Sequence, residues 1–292
     1  MTPYYAELSS PGIQTVRFDG TQSLECLGIG SNGIEGWDST PAAKAQATER
    51  GQGDGGYDIA TSDILYAART VTVHYSCVGL TRESIVRQTD AIRSMVHRPV
   101  RLRVVDVHDT YCDGGYVSVT QNAKWHEGYI DDSTLTIGFE RPERLSTQAT
   151  GCQLIAREAE SGMGLYYGQH SNGLVFPLDF GETVPGLPNT GLLTNAGTSR
   201  AYPIYRVTGP FPHGVRIDFP NLGQSLTVTQ PVGDVPLILD TRTRTATIGG
   251  LDVSRTITRR QWPTIPPASS LRVTLRTVGS GWVDVETHDT YI

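Results

Sequence analysis

Residues 71–77 show the clearest pattern in the chain. Val71, Val73, Tyr75 and Cys77 are apolar and alternate with Thr72, His74 and Ser76. A period of two marks a half-buried strand. Thr81 then stands where a helix cap is needed, with Glu83 in the first turn to complement the dipole. Ile85, Gln88/Thr89, Ile92 and Met95/Val96 recur at helical spacing, while Arg87, Asp90 and Arg93 face elsewhere. Pro99 steers its predecessor away from the α region, so the helix is expected to stop before it. Further strands are expected over 13–18, 24–29, 100–107, 116–120 and 133–140. The first half therefore reads as one helix covering a face of a sheet of at least five strands.

Residues 30–62 carry seven glycines and no sustained period, and read as a long loop. A loop of that length inside a compact domain is uncommon. Two readings stand: a segment that orders against a neighbouring subunit, or a floppy surface loop. Arg141-Pro142-Glu143-Arg144 ends the strand pattern and 145–150 is polar, which sets a domain boundary near residue 147. Beyond it no helix is expected. Strands are expected over 202–208, 214–219, 225–230, 235–240, 243–248, 270–277 and 282–287, separated by Gly and Pro turns. Many short, evenly spaced strands predict a sandwich of antiparallel sheets.

The chain has 292 residues, enough for two cores, and 32 Gly and 17 Pro are scattered between its apolar runs. The net charge of −6 disfavours a protein that grips phosphate backbones. Every cation except Lys44 and Lys124 is an arginine. That pattern reads as codon bias or as guanidiniums selected for bidentate contacts between subunits. Cys26, Cys77, Cys112 and Cys152 form no C-x-x-C pair, and read as free, mostly buried thiols of a chain made in a reducing cytoplasm. No apolar run approaches the roughly 20 residues that span a bilayer, and the start of the chain lacks a signal-peptide pattern, so neither membrane insertion nor Sec export is expected.

An ordered set of short motifs runs through the second half. Leu174-Val175-Phe176-Pro177-Leu178-Asp179-Phe180 comes first, then Asn195-Ala196-Gly197, Ala201-Tyr202-Pro203 and Gly209-Pro210. Gly233-Asp234, Leu239-Asp240-Thr241, Gly249-Gly250, Trp262 and Pro266-Pro267 follow, and a closing segment runs from Trp282 to Tyr291. In the first half, Gly36-Trp37-Asp38 with Pro41, Asp54-Gly55 and Arg69 precede the strand–helix–strand unit. Together these resemble the distal tail protein family of long-tailed bacteriophages, over most of the chain. One departure is Ala268-Ser269, where glycine is expected after the prolines.

The resemblance implies a mainly β chain. Residues 1–147 would form a sandwich or barrel-like ring domain with one helix, and residues 148–292 a galectin-like β-sandwich. It implies a structural, non-enzymatic virion protein with no cofactor or metal. Such a protein forms a homohexameric ring at the tail tip, after being made in the host cytoplasm. The implied partners are further copies of the chain, the tail tube protein, the tape measure protein, and tip, hub and receptor-binding proteins. No sequence-specific nucleic acid is implied. Gly36, Trp37, Asp38, Asn195, Gly197, Pro203, Gly209, Asp240, Thr241, Trp262 and Pro266 are the family-motif positions in this chain. The Asn and Gly among them suit turns with positive φ, and Asp240-Thr241 suits a turn closed by side-chain bonds to the backbone.

His108-Asp109-Thr110-Tyr111 recurs as His288-Asp289-Thr290-Tyr291. A neighbouring His and Asp suggest half of an acid/base or metal site, but successive side chains of a strand point to opposite faces. Glu158, Glu160, Asp179 and Glu182 are candidate glycosidase carboxylates, which would need to lie about 5–10 Å apart. A carbohydrate-binding module is the alternative function, with Tyr166, Tyr167 and Trp282 as candidate stacking residues. His170 and His213 stand alone and read as surface residues.

Overall fold

A computed structural model of the chain describes residues 4–19, 26–44, 49–52, 54, 64–122, 125–126, 129–156 and 189–292. It is mainly β and divides into two compact units: residues 1–147 with 291–292, and residues 148–290.

The first unit holds β1 (Tyr5–Ser9), β2 (Val16–Asp19), β3 (Leu27–Glu35), β4 (Arg69–Val78), α1 (Arg82–Arg93), β5 (Val100–Val105), β6 (Asp109–Thr120), β7 (Trp125–His126), β8 (Tyr129–Phe139) and the start of β9 (Arg144–Ile155). Seven of these strands close on themselves in the order β1, β2, β3, β4, β8, β6, β5 and back to β1. Closure removes sheet edges and leaves an inside and an outside. In β4 the alternation is complete: Val71, Val73, Tyr75 and Cys77 are buried and their neighbours are less so. Helix α1 adds Ile85 and Ile92 to the same core, each contributing about 1.5–3 kcal/mol.

Thr81 caps α1 through its hydroxyl, which accepts from the Ser84 amide. The helix ends at Arg93, earlier than Pro99 alone requires. The chain then turns through His97 at φ 71°, and Met95 is buried from the turn rather than from the helix.

One expectation needs correction. Residues 30–35, read as the start of a loop, continue β3. The strand is bulged between Ile29 and Ile34, with Gly33 at φ 67°, which breaks the alternation that would have revealed it. The excursion that follows is tied at its neck by the bridge between Ala43 and Tyr66; most of it lies outside the described residues. Residues 145–150, the polar stretch at which the sequence sets a boundary, lie within strand β9. Their side chains are half-buried or exposed on both faces, so no period of two is visible.

The second unit holds the rest of β9, then β10 (Thr190–Asn195), β11 (Ile204–Thr208), β12 (Val215–Phe219), β13 (Gln224–Val228), β14 (Leu237–Asp240), β15 (Thr245–Ile248), β16 (Leu251–Asp252), β17 (Ile257–Arg260), β18 (Ser269–Leu275) and β19 (Trp282–Tyr291). One sheet runs β16-β15-β14-β11-β19-β9 and the other β10-β18-β12-β13-β17. Their inward residues form a single core, in which Tyr205 of one sheet lies 6.0 Å from Phe219 of the other, ring to ring. The only helical pieces among the described residues here are two single turns, Pro220–Leu222 and Ser254–Thr256.

Candidate functional site

Arg69 leads β4 and is 1% exposed. Its Nη1 donates to the carbonyls of Gly36 (2.6 Å), Trp37 (2.8 Å) and Ser39 (2.9 Å), and its Nε donates to that of Pro142 (2.7 Å). Burial lowers its pKa from the ordinary arginine value. A buried cation held by four carbonyls fixes the path of the backbone it grips. Gly36 has φ 79°, and a Cβ there would lie 2.2 Å from the Thr70 carbonyl oxygen, so only glycine fits. Trp37 is buried in the barrel core. Asp38 faces outward and pairs with Arg144 at 2.6 Å, whose guanidinium also stands over the Trp37 ring.

In the second unit, Asn195 gathers three separate motifs. Its Nδ2 donates to the carbonyls of Ser199 (2.7 Å), Ile265 (3.1 Å) and Pro266 (3.2 Å). Its Oδ1 accepts from the amides of Gly197 (3.0 Å) and Thr290 (3.2 Å). A Cβ on Gly197 would lie 2.0 Å from the Thr290 carbonyl oxygen. Asp240 Oδ1 accepts from the amides of Arg242 (2.8 Å) and Thr243 (3.2 Å), and the Thr241 hydroxyl donates to the buried Pro203 carbonyl (2.8 Å). A Cβ on Gly209 would meet the Val232 carbonyl oxygen at 2.2 Å. Trp262 is half-buried against the core. Ala268 sits at φ 49°, a left-handed conformation that favours glycine.

The two His-Asp pairs do not converge. His108 stacks on Tyr291 at 5.1 Å, whereas Asp109 is bound by Arg103, which holds its carboxyl below the usual range. His288 lies 3.3 Å from Glu286, and Asp289 accepts from the Ala196 amide. The thiols of Cys77 and Cys112 are pushed up by burial to about 11 and about 12. None of the four cysteines is in a disulfide. The segment from Leu174 to Phe180, Tyr166, Tyr167, His170, Glu158, Glu160, Asp179 and Glu182 lie outside the described residues. Among the described residues no cluster of three or more His, Cys, Asp or Glu is placed to hold a metal, and no helix is long and apolar enough to cross a membrane.

Sequence reasoning missed one surface. On the outward face of β11, β19 and β9, Arg206, Asp284, Glu286, Gln153 and Ile204 line an open groove of about 630 Å³. Only the aromatic at its margin, Trp282, was visible in the sequence as a candidate. Charge is also unevenly divided: acidic and basic residues are equal in number from residue 148 onward, so the whole −6 falls on residues 1–147.

No protein-family model and no curated protein matches the chain. Solved structures do. The chain is similar to the Dit (gp 19.1) protein of phage SPP1, described as a paradigm of the hub adsorption apparatus in phages infecting Gram-positive hosts, at 12% identity and a TM-score of 0.62, covering 98% of this chain and 99% of that one. It is also similar to a chain of the phage P2 baseplate in its activated conformation with Ca, at 13% identity and a TM-score of 0.47, covering 99% of this chain and 98% of that one. Along nearly its whole length, then, the chain shares the fold of the SPP1 Dit protein.

Proposed function

We propose that the chain is a structural protein of the virion: a distal tail subunit whose copies close into a hexameric ring between the tail tube and the tip or baseplate of a long-tailed phage. The observation that supports this reading best is the end-to-end match of fold with SPP1 Dit, in which neither unit is missing or added. The motif positions are consistent with it. Arg69 with Gly36, and Asn195 with Gly197, hold backbone rather than aim reactive groups. Such a role is mechanical, not catalytic, and needs no cofactor.

In a six-fold ring each subunit presents two different faces to its neighbours. The tube, tape measure and tip proteins are the further partners of this reading. An excess of negative charge confined to the barrel half suits a channel that DNA must traverse without sticking. The test is gold-labelled antibody against this chain on intact particles. Label at the tail end remote from the head is expected; particles without label, or labelled on the head, overturn the reading. Glycan binding by the second unit is compatible with this role, and the groove on that unit favours it.

A further inference from the structure

We propose that the outward face of β11, β19 and β9 binds a neutral polysaccharide strand. The pairing of β11 with β14 and β19 sets Ile238, Arg206 and Asp284 in one row across the strands. Gln153 of β9 extends that row, because its Nε2 donates to Asp284 Oδ1 at 2.7 Å. The other carboxylate oxygen, Oδ2, accepts from Trp282 Nε1 at 3.1 Å. One carboxylate therefore holds both an amide and an indole in place, and neither pays a large ordering cost when a ligand arrives. In the next row Ile204 pairs with Glu286, beside Gly151. A Cβ on Gly151 would meet the Val285 carbonyl oxygen at 2.3 Å, so the floor stays low there.

The chemistry on this face selects the class of ligand. Sugar hydroxyls both donate and accept, and vicinal pairs match planar groups. Here a guanidinium, an amide and two carboxylates lie side by side on strands about 4.8 Å apart, close to the length of one pyranose ring. Arg206 has no hydrogen-bond or ion-pair partner among the described residues, so its donors are available. Trp282 is 37% exposed and offers an apolar surface against which the C–H face of a sugar can stack. A protein partner would want a larger apolar centre than the diagonal pair Ile204 and Ile238, which Arg206 and Glu286 flank. A polyanion, nucleic acid or teichoic-acid-like, would meet two carboxylates against one guanidinium.

The full chain is tested on an array of neutral oligosaccharides, including β-1,4-linked N-acetylglucosamine, glucose and galactose oligomers, with the best ligand titrated by calorimetry. Binding is expected, weakened roughly tenfold by Trp282→Ala and by Arg206→Ala, as for loss of one stacked ring or one charged hydrogen bond. Arg216→Ala, on the other sheet, leaves it unchanged. Thermal unfolding checks that each variant is folded. Absence of binding to every neutral oligosaccharide, binding indifferent to both groove variants, or binding of polyanionic glycans alone overturns the proposal. None of these results depends on whether the ring forms.

Discussion

The guanidinium of Arg69 donates to the carbonyl of Trp37 at 2.8 Å, joining positions 32 residues apart inside the barrel. Three further carbonyls share the same side chain, so the turn after β3 and the approach to β9 hang on one residue. Arg69→Ala leaves these acceptors buried and unpaired. It should cost about 3–5 kcal/mol in denaturant unfolding. Arg69→Lys should recover only part, because a single ammonium cannot reproduce the planar fork. A loss below about 1 kcal/mol for the alanine variant would show that the clasp is dispensable.

Asn195 has the same logic in the second unit. Asn195→Ala removes one amide nitrogen, whose two N–H donors are shared among three carbonyls, and one doubly used acceptor, and should destabilise that unit by about 2–4 kcal/mol. Asn195→Asp should be worse at neutral pH than Asn195→Ala, since a carboxylate would face three carbonyl oxygens. Equal thermal midpoints for the two variants would contradict this.

Ala268 gives a prediction of opposite sign. At φ 49° an alanine is strained by about 1–2 kcal/mol, and part of that is recovered in Ala268→Gly despite the greater freedom of glycine when unfolded. A small rise in thermal midpoint is expected. Gly197→Ala, placed 2.0 Å from the Thr290 oxygen, should lower it sharply.

Acid sensitivity should centre on two carboxyls. Asp109 is lowered chiefly by its hydrogen bonds to Arg103, while Asp218 is lowered by Arg216 and Arg276 against an opposing desolvation effect. A carboxyl lowered in the folded state adds stability above its unfolded pKa of about 3.9, and that stability is lost as pH falls through the folded value. The Asp109→Asn, Asp218→Asn double variant should therefore show a flatter acid limb of unfolding free energy below about pH 4. An unchanged limb would assign acid unfolding to other groups.

Much of this architecture is legible in the residues because packing and local pattern agree. β4 alternates without a break, and Thr81 caps α1 where the apolar period begins. Legibility fails where one of those signals is missing. β9 has little buried face to alternate, and β3 is interrupted by a bulge. Arg69 could be noticed as a motif residue, but its burial could not, since arginine is normally a surface residue. The groove on the second unit is assembled from β9, β11 and β19, and Gln153 and Asp284 are 131 positions apart, so no local window brings them together. The departure at Ala268 was visible as a missing glycine, and the backbone there does adopt the glycine conformation.

Native mass measurement of the purified chain tests self-assembly most directly. Six copies of a 31.7 kDa chain make a closed species of about 190 kDa, which is the predicted result. A single species at the mass of one chain, unchanged across a hundredfold range of protein concentration, would contradict it.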